Sequence, residues 1–295
     1  MRSSLAAVVT TYKPDRDFFA RFEATIQSCR QFIVVDNTPG GHRFEMDEVP
    51  ASMLILQDGE NKGLGKALNL GIDAARRAGV DAAVLFDQDS SPSAAFLQGM
   101  LRQLDTASEG GKLKVCVGPR HVDDAQLREA PSTVIGDDQG TSRLRPISCL
   151  PTSGMIFPIG QLHTDERFTE DFFLDFVDFD WCWRLGHRGW TFYRAMDITM
   201  PHRLGLSQRR FLGITYHVPA PYRHYFQFRD TLRLTVRSHV PLYSKIRLAG
   251  LLPLKALVYP FLLDRGVQRV RWMARGIIDA FRRVGGVGAA RKTLS

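Results

Sequence analysis

Cysteine is scarce in this chain of 295 residues. Cys29, Cys116, Cys149 and Cys182 lie at least 33 residues apart, which excludes the paired spacings of zinc and dithiol sites and fits buried thiols in a reducing compartment. No apolar run is long enough to span a bilayer. The best candidate, Leu248 to Leu263, has 16 residues and is broken by Pro253, Lys255 and Pro260, short of the ~20 that a span needs. The opening MRSSLAAVVTTYKPD holds only five consecutive apolar residues, Leu5 to Val9, too few for a secretory signal, so a cytoplasmic chain is expected. Internal repeats and low-complexity tracts are absent. With 44% hydrophobic and 24% charged residues, 25 Gly and 15 Pro, the composition excludes disordered and collagen-like chains and can supply a large core.

Acidic residues are missing from one region in particular. Residues 201–295 hold 18 Lys and Arg but only three Asp and Glu, for +15, whereas residues 1–200 carry −7. The formal +8 thus joins an acidic body to a basic end, and the basic end points to an anionic partner, lipid or nucleic acid.

What is present is a regular alternation. Leu5 to Thr10, Phe32 to Val35, Met53 to Gln57 and Ala82 to Phe86 read as buried strands; Asp17 to Cys29, Leu64 to Ala78 and Ser93 to Leu104 have helical spacing between or after them. Turn signals such as Asp36-Asn37-Thr38-Pro39-Gly40-Gly41 close the strands. This pattern predicts an α/β fold with a mainly parallel sheet flanked by helices, and ligands at the carboxyl ends of the strands. A further strand, Val115 to Gly118, precedes a polar irregular stretch, Asp123 to Arg145; order resumes at Ile147 to Phe157, and a helix is expected over Asp175 to Gly186. The composition changes at Pro241, giving a catalytic domain over 1–240 and a C-terminal helical segment over 241–295. In that segment Val267, Val270, Met273, Ala274, Ile277, Ile278 and Phe281 share a helical face with Arg265, Arg269, Arg275, Arg282 and Arg283 largely around it, a basic amphipathic pattern suited to an anionic membrane surface. The alternative is a helix packed on its own domain with a solvated basic face.

Several side chains are placed for chemistry. Asp87 and Asp89, after the strand in VLFDQDS, would face one way if the segment stays extended, and two carboxylates suit a hard cation on a diphosphate. The competing reading is an acidic turn. Asp36 could accept from the imide N–H of a pyrimidine or serve as an Asx-turn residue. Asn61-Lys62-Gly63-Leu64-Gly65-Lys66 leads into a helix as an anion site would, but Leu68 replaces the third glycine of a dinucleotide fingerprint and no strand abuts it suitably, so that reading is rejected. In FFLDFVDFDWCWR, Asp175, Asp178 and Asp180 stand among aromatics, where desolvation would raise their pKa toward the range of a general base; the alternative is a first-turn acid cluster. His202 in MPHRLG is by default a structural histidine.

In order, VVTTYKPD, VVDN, NKGLGKALNLGI, LFDQDSSP, the SGMIF stretch, FFLDFVDFDWCWR, PHRLG and YRHYFQFRD resemble the family 2 glycosyltransferases of GT-A fold, most closely the bacterial rhamnosyltransferase branch, over residues 8–230. The resemblance implies that Asp36 reads the base, that Thr11 and Tyr12 line the nucleotide pocket, and that Asn61, Gly63 and Lys66 lie near ribose and diphosphate. It implies a metal-binding DxD with Asp87 and Asp89 as ligands to Mg²⁺ or Mn²⁺, Gln88 beside the donor and His202 as an additional ligand. Asp178 becomes the base, with Asp175 a second candidate because Val177 stands where the family usually has Glu; Ser153, Gly154 and Trp181 fall on the acceptor side. Arg229 would face the leaving diphosphate, although Asp230 follows it where the branch often has Asn. The expected activity is inverting, metal-dependent transfer of a sugar, with dTDP-L-rhamnose as donor and a glycolipid or lipid-linked glycan as acceptor, at the inner face of the cytoplasmic membrane. Alternatives are a non-catalytic membrane-surface protein, or a nucleotidyltransferase, whose Gly-rich activating loop TTYKPD does not supply. Nucleic acid is disfavoured as partner because the arginines interleave with leucines rather than with stacking aromatics.

Overall fold

A computed structural model of the chain describes residues 3–45, 49–111, 113–122, 143–201, 208–211, 214–217 and 219–285. The polar stretch after 122 and His202 therefore fall outside the described residues, 143–145 excepted. The described chain divides into two compact units, the first built from 1–62, 66–168 and 185–203, the second from 63–65, 169–184 and 204–295.

The first unit is organised by strands β1 (Ser3–Thr11), β2 (Cys29–Asp36), β3 (Met53–Gln57), β4 (Ala82–Asp87), β5 (Val115–Val122), β6 (Leu144–Ile147), β7 (Ile156–Pro158) and β8 (Thr191–Pro201). They form one eight-stranded sheet in the order β3-β2-β1-β4-β7-β5-β8-β6. The pairs β1/β2, β2/β3, β1/β4 and β5/β8 are parallel, whereas β7 and β6 enter antiparallel, so the sheet is mixed, with β3, β2, β1 and β4 forming a parallel half. Helices α1 (Phe18–Ser28), α2 (Leu64–Arg77) and α3 (Ala94–Ser108) provide the crossovers. The alternation predicted these elements because β1, β2 and β4 are almost wholly buried, which demands continuous apolar runs such as Leu5 to Val9 and Ala82 to Phe86. Phe18 and Phe22 of α1, Phe32, Phe86, and Leu97 and Met100 of α3 belong to one core cluster. Ser93 caps α3, its hydroxyl accepting from the Phe96 N–H at 3.1 Å.

The second unit contains most of α4 (Val177–Gly186), the β9 (Gln208–Phe211) and β10 (Ile214–His217) hairpin, and helices α5 (Arg223–Thr235), α6 (Leu242–Leu262) and α7 (Gly266–Phe281). The C-terminal helices, set apart by composition at 241, share this unit with α5. Phe173, Tyr225 and Phe226 form one small core with Trp272 against it; Phe228, Leu252 and Met273 form another. Among the described residues no helix is long and apolar enough to cross a membrane.

Helix α7 does not bury most of its apolar stripe, and Arg269, expected beside that stripe on the basic face, is buried. The buried residues of this helix are Arg269, Met273, Gly276 and Asp279, while Val267, Val270, Ile277, Ile278 and Phe281 are exposed. The inward face is thus largely polar, held by Arg269 donating to the carbonyls of Asp264 and Pro219 at 2.8 Å each and by Asp279 accepting from the Tyr225 hydroxyl at 3.0 Å. Satisfied partners make such burial tolerable, and most of the apolar stripe is left outside.

Candidate active site

The parallel half of the sheet places three loops side by side. Register pairs Thr11 with Asp36 across β1/β2, and Thr10 with Asp87 across β1/β4. The carboxyl ends of β2, β1 and β4 therefore line one edge, and the strand order turns back at β1, where such sheets bind ligands.

Asp36 is buried at that edge. Its Oδ1 accepts from the Thr11 hydroxyl (3.0 Å) and from the Thr38 N–H and hydroxyl (3.2 and 2.7 Å); Oδ2 accepts from the His42 N–H (3.0 Å). This is the turn role weighed above. A carboxylate has about four lone-pair sites, mostly spent on Oδ1 here, so Oδ2 retains room for one more donor such as an imide N–H. The Tyr12 N–H donates to the Gln88 side chain at 2.6 Å and the Lys13 N–H to Thr38 at 2.8 Å, which stitches the three loops together. Gln88 is a brace between loops, further held through its carbonyl by Arg21 at 3.2 Å.

Strand β4 ends at Asp87, and Gln88 and Asp89 lie in a turn closed by the Ser90 N–H donating to the Asp87 carbonyl at 3.1 Å. The extended i, i+2 argument for a shared direction does not hold, since the backbone has already turned. Asp87 is half-buried and Asp89 exposed. Carboxylates at a strand end are the hard oxygen donors that Mg²⁺ or Mn²⁺ takes. No cluster of three His, Cys, Asp or Glu capable of holding a metal occurs among the described residues. Behind this turn, the Ser90 and Ser153 hydroxyls are 2.7 Å apart, His121 Nε2 is 2.9 Å from the Ser153 carbonyl oxygen, and the Gly154 N–H donates to Leu85 at 2.7 Å. Ser153 is buried, and Gly154 (φ +81°) leaves no space for a side chain, a Cβ there falling 2.7 Å from Pro119. These two shape the loop behind the carboxylates. Ser90, Arg21 and His121 were not singled out in the sequence, because their value lies in contacts between distant segments.

Lys66 is half-buried in the first turn of α2, and Asn61 is half-buried before it. The glycines of this segment are explained by close approach within the second unit. A Cβ on Gly63 (φ +83°) would lie 2.7 Å from the Phe173 ring, and one on Gly65 would lie 2.6 Å from the Thr169 carbonyl.

The 169–184 segment carries the acidic cluster, and its three aspartates have different surroundings. Asp175 accepts from Arg223 at 2.6 Å. Asp178, in the first turn of α4, is half-buried and accepts from the Phe179 N–H at 2.9 Å. Asp180 is fully buried: the Thr169 hydroxyl (2.5 Å) and Arg184 (3.0 Å) donate to Oδ2, while Arg237 (2.8 Å) donates to Oδ1 and His239 Nε2 lies 2.8 Å from it. Burial works to raise the Asp180 pKa, but Arg237, Thr169, Arg184 and His239 outweigh it and hold the carboxyl below its ordinary value. A general rise through desolvation therefore fails at this residue. Between the aspartates, Phe176 has φ +65°, a left-handed conformation that costs a bulky residue ~1–3 kcal/mol.

Arg229 and Trp181 depart from their expected places. Arg229 is fully buried, donating to Asp230 at 2.6 Å and to the Asp171 carbonyl at 3.1 Å, with the Tyr225 and Phe226 rings 5.4 and 5.3 Å away. It has a bracing position rather than an open face toward a diphosphate. Burial pushes the Asp230 carboxyl up to about 7, against the pull of Arg229. Trp181, expected beside the acceptor, has no exposed surface and serves packing.

No protein-family model matches the chain. A curated relative, dTDP-rhamnosyl transferase RfbF of Shigella flexneri, is 28% identical over 262 residues, covering 84% of this chain and 85% of the relative. Among solved structures, Staphylococcus aureus TarS 1–349 aligns with 94% of this chain and 80% of its own at a TM-score of 0.46 and 12% identity. Mannose-1-phosphate geranyltransferase from Thermus thermophilus aligns with 52% and 47% at a TM-score of 0.29 and 12% identity.

Proposed function

We propose that the chain is a glycosyltransferase of family 2, in the rhamnosyltransferase branch, and that it moves L-rhamnose from dTDP-L-rhamnose to a hydroxyl of a glycolipid or lipid-linked glycan, with inversion at the sugar. The observation that carries the nucleotide half is the edge formed by Thr11, Asp36 and Asp87, with one acceptor position of Asp36 left for a pyrimidine imide. The donor sugar is drawn from the relative, a dTDP-rhamnosyl transferase.

Asp87 and Asp89, with His202, would hold Mg²⁺ or Mn²⁺, which when bound offsets the charge developing on the leaving nucleoside diphosphate. Asp178 takes the proton of the acceptor hydroxyl as the oxygen attacks the anomeric carbon and the bond to the diphosphate breaks. One base and one displacement give inversion. Asp175 is the weaker candidate because Arg223 already engages it at 2.6 Å. Asn61 and Lys66 belong to the donor side of this scheme.

The C-terminal helices support the reading of the acceptor and location. Leu254, Leu257, Phe261, Val267, Ile278 and Phe281 are exposed on α6 and α7, in a region rich in Arg and Lys. Apolar side chains amid cations suit an anionic lipid surface, here assigned to the inner face of the cytoplasmic membrane.

The test combines binding and turnover. Thermal unfolding in dTDP, UDP or GDP, each with Mn²⁺, Mg²⁺ or chelator, is expected to show metal-dependent stabilisation, largest with dTDP. Asp178→Asn is expected to keep that stabilisation and to lower rhamnosyl transfer by at least ~100-fold, the lower range for loss of a general base. Absence of nucleotide stabilisation, or full transfer by Asp178→Asn, overturns the scheme.

A further inference from the structure

We infer that Asp180 is a positioning residue, which with Arg237 and His239 clamps the turn before α4 so that Asp178 is presented in one orientation. This rests on the reading of Asp178 as the base. The turn is held from both sides of Phe176, the strained left-handed residue. On one side Arg223, the first residue of α5, grips Asp175 at 2.6 Å. On the other, Arg237 and His239, just beyond the end of α5, meet Oδ1 of Asp180, and Thr169 and Arg184 meet Oδ2.

Arg237 also lies over the Phe172 ring at 4.4 Å, and the Asp180 N–H donates to the Phe176 carbonyl at 3.0 Å. A left-handed phenylalanine persists only where its surroundings over-determine it. The two clasps provide that constraint, and Asp178 lies between them. Asp180 itself is buried with four donors and has no surface for substrate, so it acts through the turn. A misplacement of about 1 Å in a reacting group is enough to lower turnover by about 100-fold.

Asp180→Asn keeps the shape and removes the charge. Two readouts are taken, hydrogen exchange over residues 176–180 and steady-state transfer from dTDP-L-rhamnose. Expected are faster exchange confined to that segment, a kcat lowered by about 100-fold, and a donor KM within about threefold of wild type. Adding Phe176→Asn, which tolerates the left-handed region, is expected to restore about tenfold of kcat. If Asp180→Asn does not fold, Arg237→Lys carries the same readouts, since it keeps the charge and loses the planar fork over Phe172. Unchanged exchange, or unchanged kcat, overturns the inference. Should the wild-type chain transfer no sugar, the functional reading fails, and exchange alone then decides whether the clamp exists.

Discussion

His224 shows how a histidine, a residue type suited to proton transfer, can be committed to packing by its surroundings. Its imidazole is fully buried, and Arg269 donates to Nε2 at 2.8 Å, so that nitrogen carries no proton. Burial first, then the Arg269 charge, lower its pKa to about 4 from 6.5. The sign follows from linkage: the unfolded chain takes up the proton first, so the contribution is complete above pH 6.5 and is lost as pH falls toward 4, on the order of 3 kcal/mol. Urea midpoints at pH 7 and pH 5 are expected to separate in the wild type and to draw together in His224→Gln. An unaltered separation would refute the assignment. The residues of the candidate site divide similarly. Asp36 and Asp87 were legible because a carboxylate at a strand end has a definite place once the strand is recognised. Asp180 was not, because two of its partners, Arg237 and His239, come from a segment far along the chain and have no local signature.

Helix α7 illustrates the same limit at the next scale. Its pattern announced a helix, since apolar residues recur at three and four positions, but periodicity does not say which face turns inward. Gly276 decides it: a Cβ there would lie 2.5 Å from the Tyr225 carbonyl, so α5 and α7 approach at that point, and Met273 and Asp279 one turn away and Arg269 two turns away are drawn inside with it. Gly276→Ala is expected to destabilise the chain by about 1–3 kcal/mol, as overpacking does. Gly250→Ala, on α6 with nothing within 4 Å, is the control, expected to be neutral or stabilising by up to about 1 kcal/mol. Chemical denaturation of the two variants measures the difference, and equal midpoints would remove the close-approach argument. The strands of the parallel half needed no such help, because burial on both faces requires an unbroken apolar run that reads directly from sequence.

For the whole molecule, the separation of charge along the chain is the property to test. The +15 of residues 201–295 accompanies an outward apolar surface, with Phe261 and Phe281 among its most exposed members at 83% and 79%. The full chain is expected to float with phosphatidylglycerol vesicles at ionic strength near ~0.1 M and to be largely released near ~1 M, where the Debye length falls from ~10 to ~3 Å. Phe261→Asp with Phe281→Asp is expected to weaken partition by at least roughly tenfold, from lost apolar burial alone. Salt-independent binding, or full binding by the double variant, would exclude this surface. The fold class, the parallel strands, the strand-end carboxylates and the charge separation all follow from residue order, because burial period, turn chemistry and charge are local or additive quantities. Which aspartate is engaged by arginine, which arginine is buried, and which face of α7 is covered depend on contacts between segments tens of residues apart, and those distances exist only once the chain has packed.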